Sequence, residues 1–138
     1  MKMVIALSVG TLLVSTAAFA QPMAAGGAEL MTRVPSSSLT VTDWYKQDVY
    51  DQSNNKIGEI MDVLVGKNGQ VQAAIVGVGG FLGAGEKDVA VSFNSIKATM
   101  KNDKVYLTMD TTKDALKKAP GFKYDSTKTT WVPNSSSE

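Results

Sequence analysis

Residues Met61 to Val78, MDVLVGKNGQVQAAIVGV, limit what this chain can become more than any other stretch. Lys67-Asn68-Gly69 supplies the turn of a tight hairpin, with residues that tolerate positive φ. Before the turn, Met61, Val63 and Val65 alternate with Asp62 and Leu64. After it, Val71, Ala73 and Ile75 fall on one face of a strand, and Ala74, Val76 and Val78 fall on the other. Both faces of the second strand are therefore apolar. Such a strand has to be central in its sheet or covered on both sides, because neither face can be left in water.

The flanking segments follow the same pattern. Val49 and Tyr50 form a short run ahead of DQSNN, a cluster of turn formers. The period slips between Ile57 and Ile60, so Gly58 marks a bulge or a close approach of two backbones. DVAVSF alternates Val89, Val91 and Phe93, and a helical turn is expected at residues 94–96. KATMKNDKVYLTMD reads as a hairpin about Asn102-Asp103, with Val105, Leu107 and Met109 inward and Tyr106 and Thr108 outward. TTKDALKKAP is a short helix with Thr111 as N-cap, Asp114 near the positive end of its dipole and Lys117 and Lys118 near the negative end. Pro120 and Gly121 end it. The expected fold is mainly β, a small open β-barrel of five or six short strands with a short C-terminal helix.

The termini differ in character. Met1 to Ala20 has a basic start at Lys2, an apolar run from Val4 to Phe19 and the small-x-small tripeptide Ala18-Phe19-Ala20, which is the pattern of a secretory signal peptide. Cleavage is expected after Ala20, leaving a periplasmic or secreted protein that begins at Gln21. The alternative is a retained membrane segment, because the apolar run approaches spanning length. Ser8, Gly10, Thr11, Ser15 and Thr16 dilute it. Residues 21–39 mix small, Gly, Pro and Ser residues without a period and read as a flexible leader. The domain is expected over 40–124, with a C-terminal tail over 125–138.

The chain has no Cys and no His, 14 basic residues and 13 acidic ones. Disulfides, thiol nucleophiles, imidazole bases and soft-ligand metal or haem sites are therefore excluded. Removal of Lys2 with the signal peptide leaves a formally neutral protein, with no broad positive field for nucleic acid. A lipid-modified cysteine after the apolar run is also excluded.

The run NKIGEIMDVLVGKNGQVQAAIVGVGGFLGAGEKDVAV, Asn55 to Val91, resembles a PRC-barrel domain, the small β-barrel named after the photosynthetic reaction-centre H subunit. It is similar in particular to stand-alone exported bacterial members, in which a GGFLGxGEKDVAV segment joins two strands. DWYKQDVY before it and TTKDALKKAPGFKY after it also fit, so the resemblance covers residues 40–131. Ser92 departs from the pattern, where family members commonly have Pro. The resemblance implies an adaptor. Relatives include a subunit that tunes a quinone site from outside it and a ribosome maturation factor module that binds a ribosomal protein.

The most distinctive segment runs from Gly77 to Lys87 and holds five of the 12 glycines. Phosphate binding of the dinucleotide or P-loop type needs a helix after the glycines, and here a strand follows; Leu82 also stands where a G-x-G-x-x-G begun at Gly77 needs Gly. Two readings remain. The glycines can serve only to reverse the chain, or Gly79, Gly80, Phe81, Leu82, Gly83, Gly85, Glu86 and Lys87 form a contact loop whose two large apolar side chains meet a partner or a membrane surface. Asp51, Ser53, Asn55 and Glu59 faintly echo a calcium loop. Lys56 replaces its glycine and Asp62 its bidentate glutamate, so a turn is the better reading. Glu86, Lys87 and Asp88 can pair across the loop or stand solvated. Trp44, Tyr45 and Trp131 are expected to close a barrel end or cover a helix, and Met61, Met100 and Met109 to sit in the core.

No catalytic residue, cofactor or metal site is expected. The functional expectation is a non-enzymatic binding or assembly module for a protein partner, with self-association open and nucleic acid excluded. The alternative is an envelope-associated structural protein held at a membrane surface by the apolar loop or by a retained N-terminal segment.

Overall fold

The computed structural model describes residues 23–79 and 85–135. Segment 1–20 and its expected cleavage site lie outside them, as do Gly80, Phe81, Leu82 and Gly83 of the expected contact loop. The chain divides into two units at Ser38/Leu39. In the first, β1 (Met23–Ala25) and β2 (Ala28–Leu30) form an antiparallel hairpin within the stretch read as a leader. Gly26 and Gly27 both have positive φ, which is what a two-residue hairpin turn demands.

The second unit begins with α1 (Val41–Trp44), a single turn that the apolar pattern gives no sign of. Its signal is local: Thr40 and Asp43 form a reciprocal capping box, each side chain bonded to the other's backbone N–H. Trp44, 8% exposed, anchors the turn by packing on Phe93 with ring centroids 4.5 Å apart.

Then follow β3 (Asp48–Tyr50), β4 (Lys56–Val65), β5 (Val71–Val78), β6 (Lys87–Ser92), a 3-10 turn (Phe93–Ser95), β7 (Ile96–Lys101), β8 (Lys104–Met109), α2 (Lys113–Lys118), β9 (Gly121–Asp125) and β10 (Thr130–Pro133). The eight strands β3 to β10 make one sheet in the order β10-β9-β6-β5-β4-β3-β8-β7. The sheet is open, with β10 and β7 at its edges. All neighbours are antiparallel except β3 and β8, which run parallel. Eight strands replace the expected five or six because the C-terminal residues add β9 and β10.

Hairpin chemistry acts where the sequence placed it. Asn102 and Asp103 both take positive φ between β7 and β8, and Gly69 does so between β4 and β5. The N-cap of α2 is Thr112, one residue later than expected, with its hydroxyl accepting from the Ala115 N–H at 3.1 Å. Gly58 is a close-approach position: a Cβ there would lie 2.5 Å from Val76 Cγ1, and the register slips fall nearby at Val49/Tyr50 and Ile60/Asp62.

The main core lies on one face of the sheet, where Val49, Ile57, Ile60, Val76, Val78, Val89 and Leu107 are essentially inaccessible to water. Leu116 of α2 closes it. Burying each such side chain contributes about 1.5 to 3 kcal/mol. Val105, Leu107 and Met109 face inward as expected; Met100, on edge strand β7, is 59% exposed and is not a core residue.

Ile75 is also fully buried, yet it lies outside that cluster, on the opposite face. One contact from the tail reaches that face. Trp131 of β10 donates from Nε1 to Asp62 Oδ2 at 2.7 Å, and Asp62 stands opposite Ile75 in the β4–β5 ladder. Four strand spacings separate β10 from β4, roughly 19 Å in a flat sheet. The sheet must therefore curl enough to bring the Trp131 side chain to Asp62. The expected tail over 125–138 is a structural element through Pro133.

Candidate functional site

The base of the glycine-rich loop is built from both ends. Gly79 leaves β5 with φ +80 and Gly85 enters β6 with φ +75, a conformation that costs other residues roughly 1 kcal/mol or more. Gly77 is required for space: a Cβ on it would collide with the Glu86 carboxylate and approach Met61 Cγ to 3.1 Å. Glu86 therefore lies across the bare backbone of Gly77.

Lys87 points the other way. Its Nζ donates to the carbonyl oxygens of Lys117 and Ala119, each at 2.8 Å. These are acceptors that α2 leaves open at its C-terminus, so the ammonium works as a cap on the negative end of the helix. Gly121 lets the Lys87 stem pass, since a Cβ there would lie 3.3 Å from Lys87 Cε. Lys87 is thus architectural, neither paired with Glu86 or Asp88 across the loop nor simply solvated, which were the two readings open for it. Asp88 keeps one buried carboxylate oxygen without a hydrogen-bond partner among the described residues. Burial first, and the neighbouring Glu86 charge second, push its carboxyl above the ordinary aspartate range, with Lys46 opposing them.

Beside Glu86 opens a cleft of about 530 Å³ whose floor is Gly58, Gly77 and Gly79 and whose walls carry Lys46, Lys56, Glu59, Met61, Glu86 and Lys113. Lys46 is held there by backbone. It takes φ +64 while its N–H donates to Ile60 O at 2.9 Å and Ile60 N–H donates to Gln47 O at 2.9 Å. Its ammonium lies 3.5 Å from Glu59 Oε1 and 3.8 Å from Met61 Sδ. Lys56 pairs with Asp48 at 2.6 Å, and that contact raises its pKa. Glu86 and Lys113 form no ion pair with another described residue. Among the described residues, the cleft thus presents a carboxylate and an ammonium outside any ion pair, beside glycine backbone and a thioether.

Of the expected contact residues, Gly79, Gly85, Glu86 and Lys87 are described, and only Gly79 and Glu86 line the cleft. Lys46 and Lys113 were not legible as site residues, because loop geometry brings them in from distant positions. Asp51 closes a turn, accepting from the backbone N–H of Ser53 and Asn55 at 2.9 and 2.8 Å, which bears out the turn reading. No cluster of three acidic residues able to hold a metal occurs among the described residues. Tyr45 is 55% exposed with the Lys46 ammonium 5.6 Å from its ring centroid, so it is not part of the buried core. Tyr50 and Tyr106 stack at 4.8 Å on the outward side of β3 and β8, with Lys101 over Tyr106 and the Tyr106 hydroxyl bonded to Asn54.

The sequence pattern of the PRC-barrel domain matches residues 38–116, more than half of the chain. The chain belongs to the PRC-barrel family. No curated protein matches it. The PRC-barrel match begins just ahead of α1 and ends within α2, so the curled hairpin β9–β10 stands beyond the matched part. Among the described residues of this PRC-barrel protein, no helix is long and apolar enough to cross a membrane.

Proposed function

We propose that this PRC-barrel protein is an exported, non-enzymatic binding or assembly module that docks a protein partner at the cleft beside residues 79–87. One observation carries the reading: Glu86 and Lys113 stand on the cleft wall without ion-pair partners among the described residues, above a glycine floor that lets a partner's backbone come close. Opposite unpaired charges select a partner segment of complementary polarity, which gives orientation more than raw affinity. Phe81 and Leu82 are assigned the apolar part of the contact.

Crosslinking in an envelope fraction tests it. Glu86→Lys and Lys113→Glu are each expected to keep the melting temperature of the parent, since exposed substitutions stay within about 0.5 kcal/mol, and to lose its crosslinked species. Unchanged crosslinks in both variants overturn the reading. Flotation with vesicles separates it from membrane-surface attachment, which predicts that Phe81→Ser/Leu82→Ser abolishes flotation while the charge reversals do not. N-terminal sequencing of the exported protein is expected to begin at Gln21.

A further inference from the structure

The β9–β10 hairpin is a coherent piece loosely joined to the rest. Internally it has four ladder pairs, an edge-to-face contact of Tyr124 with Trp131 at 5.8 Å, and a bond from Asn134 N to Gly121 O. It meets β6 through only two pairs, Asp88 with Phe122 and Val89 with Gly121, where β5 and β6 share six. Among the described residues it is also tied by the Trp131–Asp62 hydrogen bond and by the Lys87 stem against Gly121, and it hangs from α2 by Ala119-Pro120. Without it, β6 is an outer strand, and the family match ends before it begins.

One of the two rungs is compromised. Directly opposite residues of a ladder share a face, so Asp88 lies with Phe122 and Gly77, and its buried Oδ1 has no hydrogen-bond partner among the described residues. The charged groups around it are few. Glu86 precedes it by two residues on the same face; Lys46 opposes from the α1–β3 connection, but its ammonium is shared with Glu59; Asp62 of β4 is bonded to Trp131; Lys123 of β9 alternates to the other face. An ionised Asp88 is disfavoured while the hairpin covers it and is rehydrated when the hairpin lifts.

We propose that the β9–β10 hairpin is an acid-tightened latch over the edge of β6. Lifting it uncovers the N–H and C=O groups of an outer strand.

The direction follows from proton linkage. The closed state holds the Asp88 proton more firmly than the open state does, so closure is favoured at low pH and weakens as pH rises through the ordinary aspartate value toward the raised one. Asp125, in the hairpin turn, works in the opposite sense only below its ordinary value of 3.8, because hydrogen bonds from Thr127 lower its pKa. The window from about pH 4.5 to about pH 7 therefore lies above the Asp125 effect, and the Asp88 and Glu86 variants separate the two carboxyls that remain.

Amide hydrogen exchange on the full chain reads the latch. Protection factors at Phe122, Tyr124 and Trp131 are expected to be about twofold or more higher at about pH 4.5 than at about pH 7, with Val76 in β5 unchanged. Asp88→Asn is expected to give the higher protection at both pH values. Equal protection in the parent at the two pH values, or an undiminished pH change in D88N, overturns the proposal. Should D88N fail to fold, Glu86→Gln removes the second charge without touching either rung and is expected to shrink the change; an unaltered change overturns it equally.

Discussion

Replacing Gly58 with Ala adds one methyl group where two strands leave no room for it. The new Cβ would stand 2.5 Å from Val76 Cγ1 and 2.9 Å from the Gly77 carbonyl oxygen, whereas relaxed carbon–carbon contacts lie at about 3.5 to 4.0 Å. Val76 is fully buried, and the Gly77 carbonyl belongs to the neighbouring strand β5, so neither yields without moving that strand. Overpacking of this kind costs about 1 to 3 kcal/mol. Gly58 does not have positive φ, so Ala fits its backbone and returns about 0.5 to 1 kcal/mol by restricting the unfolded chain. The net expectation is a loss of about 1 to 2 kcal/mol, or roughly 5 to 15 °C in melting temperature for a domain of about 100 residues. Urea unfolding followed by the fluorescence of buried Trp44 measures it. Adding Val76→Ala removes the struck methyl, so the double variant should lose about 1 kcal/mol less than the sum of the two single changes. A G58A protein within about 0.5 kcal/mol of the parent, or strict additivity in the cycle, would refute the packing argument.

Three further outcomes follow from the same geometry. Ile75→Asp places a carboxylate at a fully buried position and should remove several kcal/mol, whereas Lys67→Asp in the β4–β5 turn should be nearly neutral; equal denaturation midpoints would show that β5 is misassigned. Lys87→Met keeps the stem but leaves the Lys117 and Ala119 carbonyls without their donor, which should cost about 1 to 2 kcal/mol in chemical denaturation and loosen α2 in hydrogen exchange. Hydrogen bonds from Thr40, Asn55 and Thr127 hold the carboxyls of Asp43, Asp51 and Asp125 below their ordinary value of 3.8. Each therefore contributes stability that is present above that value and is lost as pH falls through the lowered one. Unfolding midpoints measured from about pH 5 down to about pH 2 should fall, and Asp51→Asn should flatten the fall.

Where the chain's own chemistry is local, the sequence was legible. The Asn102-Asp103 turn and the two-faced strand Val71–Val78 depend on residues a few positions apart, and the close approach at Gly58, though made with Val76 and Gly77, was marked by the local slip of the period between Ile57 and Ile60. The capping box at Thr40 and Asp43 was equally local and was missed because a one-turn helix has no apolar period to draw attention to it. The C-terminal hairpin was missed for another reason. TKTTWVPNSSSE is polar apart from Trp131 and Val132, and its place in the sheet depends on a hydrogen bond to Asp62 that no neighbouring residue announces. The cleft likewise depends on Lys46 and Lys113, carried to one place by separate connections. Glycine clustering drew attention to the right loop, but it did not reveal that Lys87 spends its charge on the end of α2.

The parallel rungs between β3 and β8 set the order in which this sheet can be assembled. The β4–β5–β6 meander and the β7–β8 hairpin each close short loops and can form early. Val49 must find Leu107, and Tyr50 must find Thr108, before the two halves become one sheet. Because β3 sits between β4 and β8, the first strand of the sheet to be synthesised keeps one side unpaired until the chain has been made through Met109. Closure of that long loop, rather than hairpin formation, sets the folding rate. Truncating Val49 or Leu107 should therefore slow refolding, whereas changes in β9 and β10, which attach outside that closure, should act mainly by speeding unfolding.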